Sequence, residues 1–184
     1  NLRKFIIKWK LKSKRYSNSN FVSHPPHSTI FIANIKNQKQ VEKEIFKITN
    51  NFKSFEIVVN KTDVFLNDSL TNKDTIFLKK NKKLFDLQKI IANKLKSYVE
   101  IDSNLEFSNQ NFNNSYSKYG FPFVGLHWKP HFTIGSIKNF NKKREFKLFI
   151  EKKINFINNV NSLSLWRVNK NKHTKLKEFK FKND

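Results

Sequence analysis

One five-residue phrase is written twice in this chain, and it constrains the fold more than any other feature. Pro26-His27-Ser28-Thr29-Ile30 reads "PHSTI", and Pro130-His131-Phe132-Thr133-Ile134 reads "PHFTI". The stretches behind the two copies also match. Behind the first come apolar positions at helical spacing (Val41, Ile45, Ile48, Phe52) and then the β-rich "SFEIVV" over 54–59. Behind the second come Phe146, Ile150, Ile154 and Ile157, and then "SLSLWRV" over 162–168. Apolar residues three and four apart predict helices, and alternation predicts strands. Each copy thus opens a strand–helix–strand unit. This pattern points to an internal duplication, with a first lobe around 24–60 and a second around 119–170 inside one domain of 184 residues. Strands alternating with helices, several meeting antiparallel, predict an α+β fold.

The remaining chain completes that expectation. "FIIKWKLK" (5–12) reads as a first strand, and "HPPHSTIFIANI" as a second that begins at its prolines. "DTIFLKK" (74–80) is a further strand beyond a polar turn over 67–73. Leu84, Leu87, Ile91, Leu95 and Tyr98 mark one face of an amphipathic helix. The Ser/Asn-rich stretches over 13–20 and 102–118 read as loops. "SLSLWRV" and "LKEFKF" read as a closing hairpin.

Charge bounds the partners. Lys and Arg number 37 against 14 Asp and Glu, a formal net charge of +23. Such a field attracts polyanions. The chain has no cysteine, which excludes disulfides and thiolate metal sites and points to a reducing, cytoplasmic setting. No apolar run approaches the roughly 20 residues that cross a bilayer, so no membrane association is expected. Asn1 in place of Met suggests that a residue or leader has been removed.

In a strand, side chains two apart project from one face, about 6.6 Å apart along the chain. His27 and Thr29 would then point together, as would His131 and Thr133. A single His-x-Thr is an ordinary strand fragment. Two copies at matching places suit one substrate group, a phosphate held by two hydroxyls between two imidazoles that titrate near neutrality. A metal site is the competing reading, since His24, His27, His127 and His131 form "HPPH" and "HWKPH". Pro25, Pro26 and Pro130 oppose the helical geometry that imidazole pairs at such spacings use. No acidic residue adjoins either motif. No metal and no other cofactor is expected.

The two phrases resemble the paired His-x-Thr signatures of the 2H phosphoesterase superfamily, which includes 2′-5′ RNA ligase-like proteins and 2′,3′-cyclic nucleotide phosphodiesterases. "KPHFTIG" is a strong form of the second signature, and "PHSTIF" a fair form of the first, with Ser28 where an apolar residue is commoner. The resemblance covers most of the chain. It implies a bilobal, pseudo-two-fold α+β fold whose antiparallel sheets face a central cleft, with helices outside. It also implies metal-independent action on phosphoester bonds in RNA ends or small oligonucleotides. By that resemblance His27 is the general acid, His131 the general base, and Thr29 and Thr133 hold the phosphate. An RNA or oligonucleotide is the expected partner, with no protein partner indicated and a monomer expected. Trp128, Tyr119 and Lys129, near the second motif, are candidate substrate contacts. A small signalling oligonucleotide as substrate, or a module that only binds RNA, are the other readings of the same residues.

Overall fold

The computed structural model describes residues 1–16, 24–68, 73–80, 84–169 and 172–182, and only the backbone of residues 78–80. The polar connections at 17–23 and 69–72, which include parts of two loops expected from the sequence, lie outside the described residues. The fold is α+β with antiparallel strand pairing, as expected. The chain divides into two compact units, each assembled from three separate stretches.

The first unit comprises the described residues within Asn1–Ser28, Glu56–Asn81 and Pro130–Asn158. It opens with helix α1 (Leu2–Lys14), where a strand was expected. "FIIKWKLK" carries both periods at once. The period-2 set would bury Ile7 and Leu11, but these remain 38% and 59% exposed. The helical set Leu2, Ile6 and Trp9 is buried instead. Asn1 caps the helix by accepting from the Arg3 and Lys4 backbone N–H groups, a local interaction that a strand could not use. The unit's sheet contains β2 (Phe55–Asp68), β3 (Lys73–Lys80), β5 (His131–Ile137) and β6 (Phe156–Val160), in the order β5-β3-β2-β6. Helix α5 (Arg144–Ile150) is shorter than the sequence pattern suggested. Ile157 falls at helical spacing but lies in β6 and is 64% exposed. The asparagines at 155, 158 and 159 disfavour continuing the helix there.

The second unit comprises Thr29–Phe55, Lys82–Lys129 and Asn159–Asp184, again as far as described. Its helices are α2 (Gln38–Asn50), α3 (Leu84–Leu95) and α4 (Gln110–Tyr119). The helical readings for α2 and α3 hold for Val41, Ile45, Ile48, Leu84, Leu87, Ile91 and Leu95, all buried, while Phe52 and Tyr98 lie past the ends of the two helices and are half-buried. Strands β7 (Ser162–Asn169) and β8 (Lys172–Lys180) form the expected hairpin. Short strands β1 (Asn34–Ile35) and β4 (Val99–Glu100) pair antiparallel.

Helix α4 replaces part of the expected loop over 102–118. Asparagine and serine are weak helix formers, but the termini are well specified. Asn109 accepts from the Asn111 N–H, and Gly120 closes the helix at φ 62°, the left-handed conformation that glycine adopts without strain. Tyr116 is buried and packs against Phe107. Among the described residues no helix is long and apolar enough to cross a membrane.

Candidate active site

The second motif is a strand as expected. Phe132 and Ile134 point into the core, while His131 and Thr133 share the opposite, half-buried face. Strand β5 lies at the end of its sheet and pairs with β3, Phe77 opposite Thr133 and Lys79 opposite His131. The register slips next to this pair. Ile76 faces Gly135 and Phe77 faces Thr133, which leaves Ile134 without a partner residue. Bulges of this kind re-aim neighbouring side chains, and here everything from Ile134 to Ile137 is buried. The His131 ring lies in an aromatic corner, 5.4 Å from Phe65 in a T-shaped contact and 5.3 Å from Phe77. Those two phenyl rings are stacked at 4.2 Å. Packing on two sides fixes the orientation of the imidazole.

Helix α1 covers the outer side of β5. The Ser13 hydroxyl lies 3.1 Å from the carbonyl of the bulged Ile134 and 2.8 Å from that of Lys10, so its single proton is shared between them. Gly135 makes this approach possible. A Cβ there would stand 2.5 Å from Ser13 Oγ and 2.6 Å from Ser13 Cβ. The signal was present in the sequence: a chain with only 3 glycines places one directly after "PHFTI".

The first motif does not join a ladder. Residues 24–33 carry no strand assignment, contrary to the expected second strand, and only Asn34 and Ile35 pair. Pro25 and Pro26 have no N–H to give a neighbouring strand. The alternation survives nonetheless, with His27 and Thr29 exposed and Ser28 and Ile30 turned inward. Ser28 Oγ is buried with no hydrogen-bond partner among the described residues, so this inward position is one that an apolar side chain would suit better.

His27 Nδ1 lies 2.8 Å from the Pro25 carbonyl oxygen. A carbonyl only accepts, so Nδ1 carries the hydrogen, and Nε2 is the nitrogen that gains and loses a proton. Three residues before His27, the His24 carbonyl accepts from Lys10 of α1 at 2.8 Å. Lys10 is buried, and desolvation lowers its pKa from 10.5 to about 8. Sequence reasoning did not single out Lys10 or Ser13, because each looks like one more polar residue in a basic run. Together they tie α1 to both motif segments of the first unit.

His27, His131 and Thr133 belong to the first unit, and Thr29 is the first residue of the second. The candidate substrate contacts belong to the second unit as well. Trp128 is only 4% exposed and packs edge-on against Phe85; its ring is enclosed and offers no open face for a base to stack on. Tyr119 is half-buried, lies under the Lys118 ammonium at 5.2 Å and approaches Asn93 through its hydroxyl. Lys129 is exposed. His127, part of the "HWKPH" pattern, ends a 3-10 turn (Gly125–His127) and packs against Phe112. Among the described residues no group of three or more His, Asp or Glu side chains gathers as a metal would require.

The chain matches no protein-family model and no curated protein. Among solved structures it is similar to the crystal structure of TT0787 of Thermus thermophilus, with a TM-score of 0.63 at 12% sequence identity. That likeness spans 100% of this chain and 93% of the other. At such low identity it is a likeness of fold, and it shows that the α+β arrangement of this chain is one that a distant sequence also adopts.

Proposed function

We propose that the protein is a metal-independent phosphodiesterase acting on RNA-type phosphoesters, either 2′,3′-cyclic phosphate ends or 2′,5′ linkages. The observation that carries this reading is the doubled His-x-Thr phrase, with His131 and Thr133 on one face of β5 and His27 held in a defined tautomer. With a 2′,3′-cyclic phosphate, His131 takes a proton from water as the water oxygen bonds to phosphorus. The bond from phosphorus to one ribose oxygen breaks, and His27 Nε2–H supplies the proton which that oxygen needs. The product is a ribose phosphomonoester, and proton exchange with solvent resets the two imidazoles. Thr29 and Thr133 donate hydrogen bonds to the non-bridging oxygens as negative charge builds there. With a 2′,5′ linkage the neighbouring ribose hydroxyl takes the place of water and the same four residues serve. Two histidines supply both proton transfers, so the chemistry needs no Lewis acid.

The test is hydrolysis of 2′,3′-cyclic nucleotides and of 2′,5′-linked oligoadenylate in EDTA. Each of His27→Ala and His131→Ala should lower kcat by about 10²–10⁴-fold, the usual contribution of one acid or base. The wild type should show a bell-shaped pH profile. Inactivity on both substrates, or activity that appears only when zinc is added, would overturn the proposal.

A further inference from the structure

The outer face of α1 is unlike any other helical surface among the described residues. Of the 13 residues of the helix, Arg3, Lys4, Lys8, Lys12 and Lys14 are cations outside the core, with Arg15 at the C-cap; Lys10 is buried, and the helix contains no carboxylate. The first acidic residue of the whole chain is Glu42. The other helices differ. In α2, Lys39, Lys43 and Lys47 are interleaved with Glu42 and Glu44, and Lys47 pairs with Glu44 at 2.8 Å. Helices α3 and α5 carry Asp86 and Glu145, and α4 has Lys118 as its one cation.

With successive residues about 100° apart and a rise of 1.5 Å each, Lys4, Lys8, Leu11 and Arg15 fall within an arc of about 60° along roughly 16 Å of helix. Arg3, Ile7 and Lys14 flank this line on one side and Lys12 on the other. All are exposed except Lys12, which is half-buried with its ammonium 4.6 Å above the Trp9 ring. Arg3, Lys4, Lys8 and Lys14 form no ion pair among the described residues. At the C-terminal end of the face Glu145 acts on the Tyr16 hydroxyl and raises its pKa.

A cationic amphipathic helix can also lie on an anionic membrane, but it does so by inserting its apolar side. Here that side is already taken. Leu2, Ile6 and Trp9 are buried in the first unit, Trp9 against Phe146 and Phe149. What remains outside is a row of cations with Ile7 and Leu11 among them, which suits a flexible polyanion carrying apolar groups. A single nucleic-acid strand has both, in its phosphates and in its ribose and base faces.

We propose that the outer face of α1 docks the backbone of a single-stranded RNA. This rests on the reading above for the identity of the strand, and it adds a surface which a mononucleotide substrate would not need.

The test measures binding of a short fluorescein-labelled single-stranded RNA to a His27→Ala/His131→Ala protein, so that cleavage plays no part. Arg3→Glu, Lys4→Glu and Lys8→Glu are introduced together. Acidic residues in a first helical turn are compatible with the helix dipole, and thermal unfolding checks that the fold persists. The matched control is Lys39→Glu, Lys43→Glu and Lys47→Glu on α2, which changes net charge equally. The α1 triple should weaken RNA binding about tenfold or more at low salt and make the log–log salt slope shallower by about 2, at roughly 0.7 per lost phosphate contact. The α2 triple should shift affinity by less than about threefold. In an otherwise wild-type chain the α1 triple should hydrolyse a 2′,3′-cyclic mononucleotide as before. Equal losses in both triples would mean a diffuse field and overturn the inference, as would no loss in either. Binding to phosphatidylserine vesicles that the α1 triple abolishes while RNA binding persists would also overturn it. If the wild type binds RNA through α1 but cleaves nothing, the proposed activity fails and the docking face stands.

Discussion

At the scale of single residues, the two histidines are held by different means. His131 is wedged between phenyl rings on a strand, whereas His27 is fixed by a carbonyl two residues earlier in a segment that has no ladder. The second arrangement depends on that segment being anchored, and Lys10 anchors it through the His24 carbonyl. Burial lowers the Lys10 pKa from 10.5 to about 8, so the fold disfavours its charged form. Between those two values Lys10 holds its proton in the unfolded chain and releases it in the folded one, so its contribution to stability rises with pH across that window. Lys10→Met removes the titration. The stability difference between wild type and Lys10→Met, from urea unfolding at pH 7 and pH 9.5, should therefore move in favour of the wild type at the higher pH. A difference that stays flat would show that Lys10 is not desolvated as described.

At the scale of elements, the close seating of α1 on β5 matters most. It packs on the side of β5 to which a Gly135 Cβ would point, behind the strand that carries the second motif. The seating depends on the missing side chain at Gly135. Gly135→Ala should cost about 1–3 kcal/mol, as overpacking of a tight contact does, read as a lower urea midpoint with far-UV circular dichroism unchanged at rest. A neutral result would mean that α1 has room to spare above β5. The element-level errors of sequence reading have physical causes here. "FIIKWKLK" satisfies both periods, and the N-cap at Asn1 together with burial of Leu2, Ile6 and Trp9 selects the helix. The helix at 110–119 is hidden by its asparagines, although Asn109 and Gly120 are readable as its ends.

At the scale of the whole molecule, the net charge of +23 acts on any polyanion that approaches. If the substrate is an RNA strand, kcat/KM for an oligonucleotide should fall steeply between low and physiological salt, while that for a 2′,3′-cyclic mononucleotide should change little. Weak salt dependence for both would favour a small signalling oligonucleotide as the natural substrate. The sequence by itself determined the α+β class, helices α2 and α3, the closing hairpin and the side-by-side placement of His131 and Thr133. These arise from short-range periodicity, which the backbone obeys almost wherever it lies. Only the tertiary structure decided that the first motif stays out of a ladder, that Trp128 is enclosed, that Ser28 turns inward and that Lys10 and Ser13 of α1 reach both motif segments. Each of those depends on which distant residues come to surround a side chain, and burial by distant residues leaves no local pattern in the chain.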